Sequence, residues 1–495
     1  MQPPATPKPS AVSQVDQLLQ CASAATFFTT DHDQVCATLP LGPAGRQVWP
    51  LRSALFQYWL LNRFYQEYQL VPRDPSWRAA LRVLEACAHS QPGPRRPVDQ
   101  RVAGRGNPLE TIALDLLNSQ AEVVEITADG WNVTGDSDFR FHYTRGNLPL
   151  PRPLPADPSV LDLLRSLLNL PDPQHWRRCL TWLVAAFRPM GPYPLLVLQG
   201  PPGSGKSTAA RMLRALIDPA IASLCPLPFS DTALLTLAYH HWVLAFDHVA
   251  HASSRISSAL CRLSTGDGFF YQERYHALEP IPFTLQRPIL LTASTPLDWR
   301  PRPDLADRAL TVTLPPIPPE RRRTEADLWR QFDAVRPSLL GALCTAVSTA
   351  LRRLDSVQLP AAPRFADIAI WAVAAAPALG ATEEAVLSAL SSPAEFAAPA
   401  DPVAEALSTL MKDRASWTGT ATELLARAGC EGVRILGIDA ALQRVAPDGD
   451  RDAQELRKPP VGGDEDLAFH QVHAGDQFGD RVLDLAAPHC PVLVS

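Results

Sequence analysis

One stretch limits the fold more than any other: LLVLQGPPGSGKSTAARML, from Leu195 to Leu213. An apolar run of strand character stops at Gly200, and a loop with three glycines and two prolines follows. Lys206, Ser207 and Thr208 then open a helical pattern whose apolar face is Ala209, Met212, Leu213, Leu216 and Ile217. A buried strand turning sharply into a helix is the repeating unit of a mainly parallel α/β sheet. Gly200, Pro201, Pro202, Gly203, Ser204, Gly205, Lys206 and Ser207 fill every position of GxxxxGK[ST]. The glycines let successive N–H groups turn inward around an anion, and the helix N-terminus adds partial positive charge. Lys206 can reach outer phosphates and the Ser207 hydroxyl can ligate Mg²⁺, so the loop is read as a site for ATP, with Thr208 at its edge.

A triphosphate site of this kind needs a metal-orienting carboxylate on a neighbouring strand. HHWVLAFDHV supplies one: an apolar run ends at Asp247, 247 − 206 = 41 residues after the lysine. A third strand, RPILLTAS, ends near Thr292 and Ser294, where a hydroxyl could orient attacking water. RPDLADRAL follows, and Arg308, then Arg302, are candidates for a finger that reaches a neighbouring subunit's γ-phosphate; the alternative is surface or ion-paired arginines. No Glu follows Asp247, and His248 could act as a base only while its imidazole is neutral.

With 495 residues there is room for roughly three domains. The chain holds 50 prolines, about twice average usage, which predicts short elements and stiff connections. NLPLPRPLPADPS and SSPAEFAAPADP read as boundaries. They divide the chain into a disordered start (1–14), an N-terminal α+β domain (15–150), the ATPase core (155–320), a helical extension (321–392) and a C-terminal module (403–495). In the first domain helical patterns dominate from Val15 to His89; Leu51, Leu55 and Trp59 form one ladder and Phe56, Leu60 and Phe64 another. Asp31 and Asp33 read as a turn, and Asp129-Gly130 as a hairpin turn.

Net charge is −6, which excludes a polycation that coats nucleic acid, so any such contact is a local patch. The nine cysteines are scattered without CxxC, and a reducing, cytoplasmic setting with no membrane association is expected. His241 and Asp247 lie on one strand face roughly 20 Å apart at about 3.3 Å per residue, so they cannot share a zinc ion.

Taken together, GPYPLLVLQGPPGSGKSTAARMLRALIDP, LAFDHV, LCRLSTGDGFFYQERY, QRPILLTAS, RPDLADRALTVTLPPI and PRFADIAIWAVAAAPALG resemble the ATPases of phage, plasmid and integrative elements. These are similar to superfamily 3 and poxvirus-type primase-helicases, and the resemblance runs from about Leu109 to Gly380. It implies an AAA+-like P-loop core, assembly into a ring, expected as a hexamer, and movement on DNA, single-stranded by expectation, during replication of a mobile element. It also implies that DGFFYQERYHALEPIPFTLQRP is a hairpin in the ring's pore. There Arg274, His276 and Arg287 could meet phosphates while Tyr271 and Tyr275 stack bases; the alternative is aromatics that pack on the core. SWTGTATELLARAG resembles these relatives' C-terminal portion, a winged-helix-like module or a small helical appendage. The chain departs from the pattern where Asp247-His248 replaces Asp-Asn, where Thr292 replaces a sensor asparagine, and where Gln272 replaces an arginine. Two other functions stay open: an ATP-binding regulatory or scaffold protein with weak turnover, and a small-molecule P-loop kinase.

Overall fold

The computed structural model describes residues 12–31, 33–41, 45–90, 95–250, 252–271, 281–294, 303–359, 363, 365–391, 416–420 and 482–486. The chain forms two compact units, Met1–Glu395 and Phe396–Ser495.

The first unit opens with α1 (Gln14–Ala22), capped by the Ser13 hydroxyl, which accepts from the Asp16 N–H. Residues 13 and 14 therefore belong to an ordered helix start rather than to a disordered tail. A three-stranded antiparallel sheet follows, β1 (Thr26–Thr29), β2 (Val35–Leu41) and β3 (Gly45–Pro50). Asp31 and Asp33 lie in the turn between β1 and β2, with Thr29 opposite Val35 and Asp33 in the left-handed region at φ 59°. This sheet departs from the helical expectation for residues 15–89, and burial on both faces explains why. Val35, Ala37 and Leu39 pack on the helices while Cys36 and Val48 pack on the other side with Phe28, so no polar alternation marks the strands. Two helices complete this part, α2 (Ala54–Tyr68) and α3 (Asp74–Ser90). The ladder Phe56, Leu60, Phe64 is the buried face of α2.

A four-stranded antiparallel meander comes next: β4 (Val102–Arg105), β5 (Thr111–Asp115), β6 (Val123–Thr127) and β7 (Gly130–Thr134). Thr127 pairs with Gly130, so the hairpin turns on Ala128-Asp129, one residue earlier than Asp129-Gly130. The proline-rich stretch at 147–159 lacks regular structure, yet it packs. The Leu154 N–H donates to the Pro337 carbonyl at 3.0 Å. One hydrophobic cluster runs from Val102, Ile112 and Val124 through Trp182 and Leu196 to Phe332 and Leu343, so the core continues across this stretch.

The central sheet is built after α4 (Val160–Leu167) and α5 (Pro173–Ala186). Its elements are β8 (Leu195–Gln199), α6 (Lys206–Ala215), α7 (Asp231–His240), β9 (Leu244–Phe246), α8 (Ser254–Thr265), the hairpin β10 (Gly268–Tyr271) and β11 (Ile281–Thr284), β12 (Ile289–Ala293), the short α9 (Pro303–Ala306) and β13 (Ala309–Thr313). Strands lie in the order β13-β8-β12-β9, all parallel. Alternation in β8 serves two layers: Leu196 and Leu198 pack with α5 and α6, while Leu195 and Val197 pack with α7 and α8. The chain is thus mixed α/β with helices on both faces of a parallel sheet.

Three helices close the unit: α10 (Glu325–Arg353), α11 (Ala366–Ala375) and α12 (Glu383–Ser391). With its 3₁₀ continuation to Ser356, α10 is the one helix among the described residues long and apolar enough to cross a membrane, and 56% of its apolar window is buried in the fold. Within the second unit the described residues are an antiparallel pair, β14 (Ser416–Thr420) and β15 (Val482–Ala486). The helical or winged-helix reading of 403–495 otherwise lies outside the described residues.

Candidate functional site

The site lies at the C-terminal ends of the parallel strands. β8 runs into Gly200, whose φ of 149° and crowding against the Leu314 carbonyl leave no room for a Cβ. Gly203 and Gly205 are left-handed at φ 77° and 83°, and α6 starts at Lys206. The Lys206 ammonium is folded back into the loop, donating to the Pro201 carbonyl at 2.9 Å and the Ser204 hydroxyl at 3.4 Å. Burial lowers its pKa, and Asp247 opposes that shift.

β12 lies between β8 and β9, so Asp247 is on the next strand but one from the loop. That order brings three residues distant in sequence together. Ser207 Oγ donates to Asp247 Oδ1 at 2.9 Å, and the fully buried Thr292 donates its hydroxyl to the same oxygen. Thr292 Oγ1 also accepts from the His248 N–H at 3.1 Å. His248 is held at φ 54°, its side chain 74% exposed and its Nε2 3.5 Å from Asp247 Oδ2. The carboxylate is therefore oriented by two hydroxyls, and the imidazole stands at the solvent side. A cleft of about 470 Å³ opens beside Asp247 and His248, lined also by Arg211 and the stretch 221–226.

Sequence reasoning missed the supports of this site. Asn169 Nδ2 donates to the Ser204 carbonyl at 3.1 Å and to the Pro315 carbonyl at 2.5 Å, stapling the glycine-rich loop to the chain after β13. The Cys225 carbonyl accepts the Asp247 N–H at 2.9 Å, so the stretch lining the cleft pairs with the end of β9. Buried Arg214 holds that stretch by donating to the carbonyls of Ala222 and Ser223. Asp218 accepts from Arg101 Nε at 3.1 Å and from the Trp242 and Val243 N–H groups at 2.9 and 3.0 Å, tying the end of α6 to the start of β9. Nothing local in the sequence marks Asn169, Arg101 or Asp218, because their partners are far away in the chain.

Other predicted residues fall elsewhere. Arg287 is buried, not a phosphate contact. Its guanidinium donates to the carbonyls of Ala238, His241 and Gln286 and lies over the Trp242 ring. Burial pushes it down to about 10. Arg308 is at the N-terminal end of the strands, opposite the loop, its carbonyl accepting from the Leu195 N–H at the start of β8. The β10–β11 hairpin forms as expected, but Arg274, Tyr275, His276 and the side chain of Tyr271 lie outside the described residues, as does Arg302. Among the described residues no three His, Cys, Asp or Glu side chains gather as a metal site.

Residues 161–392 match the family model of the actinomycete integrative conjugative element replication protein. The match takes in α4 to α12, and so the whole parallel sheet and the site, in a little under half of the chain. It leaves out residues 109–160, where the resemblance to mobile-element ATPases starts. No curated protein matches the chain. Among solved structures, the A form of the apo C-terminal region of NrS-1 overlaps 86% of this chain and 84% of its own at 11% identity and a TM-score of 0.39. Another apo structure of that region overlaps to the same extents at 9% identity and the same TM-score. Overlap at that level carries no functional weight.

Proposed function

We propose that this chain is a replication protein of an integrative element and that residues 155–320 form an AAA+-like P-loop ATPase that moves on DNA as a ring. One observation carries the reading: Ser207, from the first turn after a complete GxxxxGK[ST] loop, meets Asp247 across 40 residues, with Thr292 on the strand between them. The family match over 161–392 supports replication as the setting.

Mg-ATP fits the residues present. A hydroxyl and a carboxylate oxygen 2.9 Å apart are the hard oxygen donors Mg²⁺ takes. Gly203 has no atom within 4 Å of the position a Cβ would occupy, so the mouth of the loop is open. When bound, the nucleotide supplies the phosphoanhydride whose hydrolysis drives work. Lys206 and the loop amides would neutralise the phosphates; Ser207 and Asp247 would hold the ion; Thr292 keeps the Asp247 carboxylate aimed. His248, exposed beside Asp247, would position water while its imidazole is neutral, and Arg308, or Arg302, would act on a neighbouring subunit's site.

A second reading, an ATP-liganded switch with weak turnover, is favoured by the cleft itself, whose lining among the described residues contains one carboxylate, Asp247, and no second acid to polarise water. Steady-state ATPase assays of the wild type and Lys206→Ala, with and without single-stranded DNA across salt, separate the two. The motor reading expects DNA-stimulated turnover, lost in Lys206→Ala and weakened by salt. Tight ATP binding with negligible turnover under all conditions supports the switch.

A further inference from the structure

We propose that Arg322, with Arg321 beside it, binds the phosphate tail of the nucleotide held by the glycine-rich loop of the same chain, an inference that rests on the ATP reading of that loop. The chain after β13 is a strap laid on the loop. The Leu314 N–H donates to the Gln199 carbonyl at 2.8 Å, and the Ile317 N–H donates to the Gly203 carbonyl at 3.3 Å. Ile317 Cδ1 lies 3.3 Å from where a Cβ on Gly205 would stand, and Asn169 holds the Pro315 carbonyl. Pro315, Pro316, Pro318 and Pro319 stiffen this strap, and a single 3₁₀ turn, Pro319–Arg321, leads it into three consecutive arginines.

Arg322 folds back onto the strap. Its Nε donates at 3.3 Å to the carbonyl of Ile317, the residue whose N–H is bonded to Gly203. Both Nη groups of Arg322 are left without a partner among the described residues, and such a planar fork of N–H donors can grip a phosphate with two parallel bonds. The Arg321 guanidinium likewise has no partner among the described residues. Arg323 goes the other way, donating to Gln331 Oε1 on α10 at 3.2 Å.

The acids next to these arginines do not neutralise them. Glu325 is taken by Arg211 at 2.5 Å and Asp327 by Arg330 at 2.9 Å, which leaves Glu320 against Arg321, Arg322 and Arg323. A run of like charge repels itself, and a polyanion placed beside it relieves that repulsion. Because the strap is already bonded to the loop and stiffened by its prolines, the cations are presented at small ordering cost. A DNA strand offers the same phosphate oxygens, but the strap is fixed to the loop that holds the nucleotide, and that placement selects the nucleotide.

The test is titration of the full chain with a fluorescent Mg-ADP analogue and, separately, with a labelled single-stranded oligonucleotide. Arg322→Ala should weaken Mg-ADP binding about tenfold, the lower end for a hydrogen bond to a charged group, and Arg322→Lys should recover it only in part because the fork is lost. Arg323→Ala removes the same charge one residue away and should leave the affinity within about twofold, since an exposed charge off the contact is screened. Both side chains are exposed, so the variants should keep the wild-type thermal midpoint. Full Mg-ADP affinity in Arg322→Ala, an equal loss in Arg323→Ala, or a loss confined to oligonucleotide binding overturns the arginine contact while the loop's own nucleotide binding stands. No nucleotide binding by the wild type overturns both.

Discussion

Thr292→Val tests the arrangement around Asp247 at nearly constant side-chain volume. The threonine hydroxyl does two things: it donates to Asp247 Oδ1 and accepts from the His248 N–H, in a position with no exposure. A hydrogen bond to a charged group contributes about 1.5–3 kcal/mol, and a buried N–H left without a partner costs about 1–3 kcal/mol. Ser207 still serves the carboxylate, and His248 can relax from its left-handed backbone, so the lower ends apply and the sum is about 2.5 kcal/mol. That is a change of roughly 60-fold in the unfolding constant at about 1.4 kcal/mol per tenfold. Urea unfolding followed by tryptophan fluorescence should show the midpoint fall without a change of slope. Thr292→Ser, which keeps the hydroxyl and loses a methyl group, should recover all but about 1 kcal/mol. In the proposed ATPase, Thr292→Val should also lower kcat while nucleotide affinity holds. A loss below about 0.5 kcal/mol, or equal losses in the valine and serine variants, would refute the reasoning.

Asn169→Ala frees the glycine-rich loop from the chain after β13 and should raise KM for ATP about tenfold with kcat within about twofold, as expected when binding is lost equally in ground and transition states. Asp218→Asn breaks a pair in which Arg101 and Asp218 side chains are 2% and 0% exposed, and should cost about 3–5 kcal/mol in urea unfolding. Arg101 and Arg214 hold the Asp218 carboxyl below its usual range against the cost of burial, so its stabilising contribution is present above the ordinary carboxylate pKa and lost as pH falls through the depressed value; the variant should lack that acid loss. Asp99 has the opposite sign. Burial raises it from 3.8 to about 7, so the folded chain binds the proton more tightly and stability falls as pH rises across that window; Asp99→Asn should flatten the decline in a series of melts.

Where local chemistry decided the outcome, the sequence was readable. The strand, glycine-rich turn and helix around Gly200 to Lys206 follow from residue type, as does the β6–β7 hairpin. What it could not disclose was lateral order. That β12 separates β8 from β9, so that Thr292 reaches the carboxylate Ser207 reaches, depends on pairing of Ile289 with Leu195 and with Leu244, far apart in the chain. The first sheet was hidden because both its faces are buried. Arg287 was misread for a related reason: a basic residue beside aromatics looks like a nucleic-acid contact, until the carbonyls ending α7 consume its donors.

The most direct measurement is titration of the intact chain with a fluorescent adenine nucleotide, with Mg²⁺ and with EDTA, beside Lys206→Ala and Ser207→Ala. The account predicts saturable binding that weakens without Mg²⁺, is largely lost in Lys206→Ala, and loses its Mg²⁺ dependence in Ser207→Ala. Absence of saturable binding by the wild-type chain, or binding indifferent to Lys206, would contradict it.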